Sequence, residues 1–480
     1  MQGSLLLISY TSFLAYSNMF RLKENKRKIN ELVCTIIVMV EEVSNTADLL
    51  YFDFLSEPRI MLKSSFNIVN PAAIMFNNPY SYDEDIDGTQ LTFSSRDKYK
   101  DFIETLAKDL IAILSDSERF GLEIPKNKQK PIEYSSNPSN IDLLVNEIAK
   151  KCNTNFCVIG LPSKVINKKY YEIKARFLGE NMRTQLIKDD DLKSKYIQLS
   201  KKGKSKVLYN LATAIYTKLG GTPWILSEAI AEPEAILVGI GFGKIEKGYY
   251  VGTSYVKDIY GRDIDFKIIP RFELINIETE GLYLPQNELK RLMDYLISRH
   301  SPKAIYIYKT SRFTPKEIEV FGEYTDKIAL TLVYINKSKP LRAFENKSTI
   351  RRGLLVGINK AETMGSFIKM SFFLWTTGNL TVSETGKIYD HKLGTPKGLQ
   401  VEVYTNSNRV NINNGYSIVN FEKEIGKQVL ALTKLNWNTI EWEIREPVIT
   451  TYARKAAKIA AELEKLNLGS SRVYDIRDFI

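Results

Sequence analysis

Apolar positions along this chain recur in two periods, and the changes between them predict its elements. SLLLISYTSFLAYSNMF and LVCTIIVMV are continuous apolar runs, read as buried strands or a helix of a small N-terminal region, residues 1–60. EPRIMLKSS and NPAAIMFNN read as short strands around a turn, and SSRDKYKDFIETLAKDLIAILSDSE as one amphipathic helix opened by Ser or Asp. PKNKQKPIEYSSNPSN breaks all periodicity and reads as a loop. Then IDLLVNEIAKK is a helix, NFCVIGLP a buried strand, LPSKVINK a loop, KYYEIKARFL a helix, TQLI a short strand and KSKVLYNLATAIYTKL a helix. This alternation predicts a parallel sheet with helices on its faces, a Rossmann-like layer over residues 61–225. Ligands on such sheets sit beyond the strand carboxyl ends and at helix N-termini, where phosphate is favoured.

From about Ser227 the strands lengthen. AILVGIGFGKI is followed by GYYVGTSYVKDIYGRDIDFKIIP, a hairpin turning near Tyr260 and Gly261. LPQNELKRLMDYLISRH is a helix, KAIYIYK a strand, FTPKEIEVFGEY a helix and KIALTLVYINK a strand. A hairpin first and alternation afterwards is the order of an RNase H-like fold, over residues 226–480. The fold class is therefore α/β.

Composition narrows the chemistry. With 480 residues and 44% hydrophobic content the chain can hold two or three ordinary cores, and 26% charged residues give no sign of wholesale disorder. Lys plus Arg exceed Asp plus Glu by 67 to 56, a net charge of +11, which favours polyanions through phosphate contacts. Cys34, Cys152 and Cys157 form no C-x2-C pair, so neither a disulfide framework nor a Cys-rich zinc site is indicated; Cys152 and Cys157 read as buried thiols. His300 and His391 are far apart, which argues against a His triad or multi-His metal centre, and both are expected at the surface or in loops. The first apolar run lacks a basic leader and the second is too short for a bilayer, so a cytoplasmic protein without membrane insertion is expected.

The chemistry concentrates between Tyr170 and Trp224. Tyr170 and Lys174 are four apart on a helix and share a face, Gln185 follows the turn GENMR, and Lys218 ends a helix stopped by Gly220 and Gly221. A phenol, an amide and two ammonium groups supply donors and positive charge without a nucleophile or general base, which suits a binding pocket. The order Tyr-x3-Lys, Gln, and Lys before Gly-Gly-x-Pro-Trp resembles the MID domain of prokaryotic Argonautes. That resemblance implies that Tyr170, Lys174, Gln185 and Lys218 hold the 5′-phosphate of a short guide strand, with Tyr171 an alternative to Tyr170. LTLVYINKSKPLRAFE, WTTGN, ETGK, GTPKGLQVEVY, LTKLNWN and PVITTYARKAAKIAAEL together resemble the PIWI domain of the same family.

A nuclease of the RNase H type needs converging carboxylates to hold two divalent ions about 3.5 to 4 Å apart. By the resemblance, its acidic positions are here Gly241, Thr310 and Arg454, with Glu280 an uncertain fourth, so no cleavage is expected. Asp263 and Asp265 alternate on a strand and share a face, and with Glu280 they offer a displaced cluster; the plainer reading is a solvated hairpin face. The resemblance further implies Mg²⁺ joining the phosphate, Gln185 and the Ile480 carboxylate.

Taken whole, the chain resembles a short MID-PIWI prokaryotic Argonaute of the archaeal type, without room for N-terminal and PAZ domains. What this implies is a catalytically inactive, guide-loaded sensor of antiviral or anti-plasmid defence. It would take a 5′-phosphorylated guide, RNA by expectation although DNA stays open, and pair it with a complementary target, by expectation DNA. It would then signal to an effector protein, with abortive infection the implied outcome, and that partner would bear a PAZ-like companion domain. The alternatives are an active guided nuclease using displaced carboxylates and a scaffold subunit that never touches nucleic acid.

Overall fold

The computed structural model describes residues 5–8, 50–63, 65–80, 86–274, 281–338, 341–345, 350–358, 360–380, 396–441, 444–468 and 474–479. LVCTIIVMV with Cys34, Glu280, His391, the ETGK motif and Ile480 fall outside these residues, as does all of the first apolar run except Leu5–Ile8.

The chain begins with β1 (Leu5–Ile8), β2 (Leu50–Phe54) and β3 (Ile60–Met61). The expected strand in NPAAIMFNN is instead a 3-10 turn, Pro71–Met75, which Asn70 caps by accepting from the Ala72 N–H. Pro71 at its first position, with φ already set for a helical turn, explains the difference. A second correction concerns the long helix expected from SSRD onward. Leu91–Arg96 is a strand, β4, and the helix α1 runs only over Lys100–Ser115. Ser94 and Ser95 are fully buried in β4, where the Ser94 hydroxyl donates to the Ile132 carbonyl at 3.0 Å.

β5 (Ile132–Tyr134) lies inside the segment read as loop, followed by α2 (Ile141–Lys151), β6 (Phe156–Leu161), α3 (Ser163–Gly179), β7 (Arg183–Lys188), α4 (Asp189–Gln198) and α5 (Lys201–Leu219). The four strands form a parallel sheet in the order β5-β4-β6-β7, the layer the alternation predicts. LPSKVINK is not a loop: α3 starts at Ser163, whose N–H and hydroxyl both donate to Asp190 Oδ1, and breaks at Lys169 (φ −125°). After α5, β8 (Ile225–Leu226) pairs with β3, Ile60 opposite Leu226, so the two ends of residues 61–225 meet.

The second sheet begins with β9 (Ala235–Glu246), β10 (Tyr249–Lys257) and β11 (Asp263–Glu273), then α6 (Gln286–His300), β12 (Ala304–Lys309), α7 (Pro315–Gly322) and β13 (Ala329–Asn336). It continues with β14 (Arg342–Glu345), β15 (Leu354–Ile358), β16 (Glu362–Met364), β17 (Phe367–Leu374), β18 (Leu399–Asn406), α8 (Gly415–Leu432) and α9 (Val448–Lys465). The strand order is β11-β10-β9-β12-β13-β18-β17-β15-β2, so β2 from the N-terminal region completes this sheet, while β1 pairs with β14.

Helix α9 packs on β9 with little between them. Gly239, Gly241 and Gly243 alternate onto the face that meets the helix, and Ala453, Ala456, Ala457, Ala460 and Ala461 of α9 are buried. Small residues on both partners let the backbones approach closely, and this fixes where the polar edge of α9 points.

Candidate nucleic-acid interface

Tyr170 and Lys174 lie on the half of α3 that follows the break at Lys169, Gln185 on β7, and Lys218 in the last turn of α5. The structure gathers Lys174 and Lys218 in the interior, each 2% exposed. Lys174 Nζ donates to the carbonyl of Thr184, the residue before Gln185, at 2.5 Å. Lys218 Nζ donates to Asn438 Oδ1 at 3.0 Å, so this pocket is closed by the second half of the chain. The Gln185 amide donates to the Leu186 carbonyl at 3.2 Å, and its oxygen can still accept. Tyr170 packs on the α2 side and stands edge-on to Tyr171, ring centroids 5.2 Å apart; burial and then Tyr171 push its phenol up to about 12.

Sequence reasoning missed a third lysine. Burial and then Lys455 of α9 hold the Lys174 ammonium down to about 7, with Asp478 acting the other way. Burial, Lys174 and Lys455 together push Lys218 well below the usual lysine range. Lys455 is itself lowered by burial and by Arg454. Three ammonium groups thus crowd one site where desolvation disfavours every one of them. The nearby carboxylate of Asp478 is bonded to Arg183 Nε at 2.5 Å, and Arg183 Nη1 reaches the Lys218 carbonyl at 3.0 Å. Arg477 Nη1 donates to the carbonyl of Gly220, whose φ of +124° ends α5. The C-terminal segment therefore does lie against the predicted pocket. The signal for Lys455 was its place beside the small-residue stripe of α9, which sets the packing face, but only the fold says what that edge meets.

Gly241, Thr310 and Arg454, the positions that the family resemblance assigns to the acids, fall on neighbouring elements. Gly241 of β9 lies under α9, where an added Cβ would stand 2.6 Å from the Arg454 nitrogen. Thr310 follows β12, whose Tyr308 pairs with Gly239, so Thr310 is level with Gly241. Asp263 and Asp265 do not share a face, contrary to the alternation. A bulge between Val256 and Lys257 sets Val256 opposite Asp265 and Lys257 opposite Asp263, and the extra residue turns the two carboxylates apart. Asp263 accepts from Tyr255 and from Lys257 Nζ, while Asp265 accepts from the Tyr295 hydroxyl at 2.8 Å and bonds His300 Nε2 at 2.9 Å. At 12% and 14% side-chain exposure both carboxylates are mostly covered, and His300, which ends α6, is 13% exposed. Cys152 and Cys157 are free and buried, sulfurs 3.9 Å apart. Among the described residues, no helix is long and apolar enough to cross a membrane.

No family model matches the chain. Over 346 residues it is 24% identical to the Argonaute of Pyrococcus furiosus, an alignment covering 69% of this chain and 40% of that protein. The chain is an Argonaute homologue. Its fold is that of solved Argonautes. The structure of Clostridium butyricum Argonaute bound to a guide DNA and a 19-mer target DNA superposes with a TM-score of 0.63 at 18% identity, covering 87% of this chain and 54% of that one. A. aeolicus Argonaute gives 0.58 at 17% identity, covering 85% and 53%, and Drosophila Piwi 0.58 at 14%, covering 86% and 54%. The homologue thus spans about half the length of the Argonautes it matches, and the mixed α/β architecture of its two sheets is the MID-PIWI architecture.

Proposed function

We propose that this Argonaute homologue seats the 5′-phosphate of a short guide strand among Lys174, Lys218 and Lys455, and presents the guide to a complementary strand. The observation that carries this is the convergence of three desolvated ammonium groups, which an arriving phosphate dianion would stabilise in their charged form. The Gln185 oxygen faces a different task. By the family resemblance, Gln185 and the Ile480 carboxylate would hold Mg²⁺ together with the phosphate, and the ion would offset the negative charge brought together there. Tyr170 packs towards α2, whereas Tyr171, with Lys458 Nζ 5.1 Å from its ring centre, lies on the α9 side.

The second half of the reading is a sensor that does not cut. Gly241 and Thr310 bring no carboxylate to the positions beside α9, and Arg454 puts a cation there, which opposes divalent-ion binding. Pairing would be reported to a separate effector protein with a PAZ-like companion domain, in defence against invading nucleic acid. The guide is RNA and the target DNA in this reading; the Clostridium butyricum relative is bound to DNA in both roles.

The test is the affinity for a 5′-phosphorylated guide against the same strand with a 5′-hydroxyl, in Mg²⁺ at fixed salt. Loss of the charge-assisted bonds should cost at least about 2 kcal/mol, roughly thirtyfold. Equal affinity for both ends would remove the pocket and favour a scaffold role.

A further inference from the structure

We infer that Cys152 and Cys157 form a reversible oxidation site, at which a hydroperoxide joins the two thiols as a disulfide between the end of α2 and β6. No step involves a guide strand, so the inference stands apart from the guided-binding reading.

A short turn brings the two sulfurs together. Cys152 follows the last residue of α2 with extended backbone, φ −90° and ψ 119°, and its N–H still donates to the Ile148 carbonyl at 2.9 Å. Asn153, Thr154 and Asn155 lead from there into β6, and the turn is pinned on both sides. The Thr154 hydroxyl donates to the Thr92 hydroxyl at 2.8 Å, and the Asn155 carbonyl accepts from the Arg183 N–H at 2.7 Å. Successive residues of a strand face opposite ways, so Phe156 packs with α1 and α5, while Cys157 turns towards α2 and α3, where Cys152 lies. The sulfurs stand 3.9 Å apart, and a disulfide needs about 2.05 Å. Rotation of Cys152 at the end of its helix, with a small shift of the turn, closes that gap.

The two thiols are unequal in a way that divides the reaction between them. Cys152 is 7% exposed and lies between the exposed Lys151 and Asn153, so a small oxidant reaches it from the surface, whereas Cys157 is fully buried. Hydrogen bonding with Cys157 holds Cys152 below the usual thiol range against its burial, helped by the charge of Lys128, while burial pushes Cys157 well up. The thiolate is the attacking form, which makes Cys152 the first to react and Cys157 the thiol that resolves the product. Among the described residues, no His, Asp or Glu joins the pair in a group that could hold a metal ion.

With hydrogen peroxide the Cys152 sulfur attacks one oxygen and the O–O bond breaks. Cys152 becomes a sulfenic acid, and the displaced hydroxide leaves as water with the proton of the Cys152 thiol. The Cys157 sulfur then attacks the Cys152 sulfur; the S–O bond breaks, the S–S bond forms, and the hydroxyl leaves as water with the Cys157 proton. Two thiols thus give two electrons to one peroxide, and a dithiol reductant returns them.

The experiment treats the reduced native protein with hydrogen peroxide, alkylates the remaining thiols and maps the tryptic peptide 152–164, which carries both cysteines. That peptide should appear two hydrogens lighter and closed to alkylation, and dithiothreitol should restore both thiols. Peroxide treatment of Cys157→Ser should leave a dimedone-reactive sulfenic acid on Cys152, and the same treatment of Cys152→Ser should leave Cys157 unlabelled. Where a variant does not fold, the peptide from the native protein decides. Both thiols still open to alkylation after exposure that already oxidises methionines, or a bond from either of them to Cys34, would overturn the inference. Dimedone on Cys157 in place of Cys152 would overturn it as well, since the exposed thiol would then not be the one that reacts first.

Discussion

Gly241 lies beneath Arg454, with room for hydrogen and none for a methyl: a Cβ there would meet the Ala453 carbonyl and stand 2.6 Å from the Arg454 nitrogen. Strand and helix have closed on each other at the position where the family resemblance calls for an acid. Gly241→Ala should therefore force β9 and α9 apart and destabilise by about 1–3 kcal/mol. A thermal melt lowered by several degrees is the expected result, and an unchanged melting temperature would show that the helix yields freely. Neither the native protein nor the Gly241→Asp Arg454→Asp variant is expected to cleave a paired target in Mg²⁺ or Mn²⁺.

Lys455 sits on the far half of the chain from Lys174 and Lys218, yet it acts on both. Lys455→Ala should weaken binding of a 5′-phosphorylated guide about tenfold, near 1.4 kcal/mol, and leave the 5′-hydroxyl strand nearly unaffected. Equal losses for the two strands would make Lys455 a general backbone contact instead.

The Lys174 ammonium gives a pH dependence with a definite sign. Its folded value, about 7, lies below the ordinary lysine value of about 10.4 expected in the unfolded chain. Between about pH 7 and 10 the unfolded chain binds more protons, so without guide this residue's contribution to stability rises with pH across that window. A bound phosphate favours the ammonium form, so binding above about pH 7 takes up a proton. The 5′-phosphate preference should fall from pH 7 to pH 9. Calorimetry in buffers of different ionisation enthalpy should show the uptake, and a flat preference with no uptake would contradict the cluster.

Arg183 holds Asp478 by its Nε and Lys218 by its carbonyl. Arg183→Ala leaves a 2% exposed carboxylate beside the lysines, where it competes with an incoming phosphate. Guide affinity should drop, and Arg183→Ala with Asp478→Asn should recover much of it. No recovery would mean that the arginine itself meets the guide.

Much of the fold was legible because apolar runs in NFCVIGLP, AILVGIG and KAIYIYK mark strands buried on both faces. β4 was not, because Ser94 and Ser95 are polar yet buried, and their pattern looks like a helix cap. The separation of Asp263 from Asp265 was hidden because strict alternation presumes an unbroken ladder, and one bulge inverts it. Of the candidate site, Lys174 and Lys218 were singled out through the family resemblance, and both lie buried in the interior. Lys455, Arg183 and Asp478 were not, since nothing local joins residues that meet only when α9 docks on α3.

That docking also has a history in the making of the protein. Lys174 and Lys218 leave the ribosome long before Lys455 and Asp478, although all four meet at one site. The parallel sheet that carries the first two can fold while the rest is being synthesised, but the anion site stays unfinished until α9 and residues 474–479 arrive. A chain interrupted before α9 would hold a folded sheet with two of its three lysines and without the Asp478 partner of Arg183, so on the proposed function guide loading would belong to nearly completed molecules.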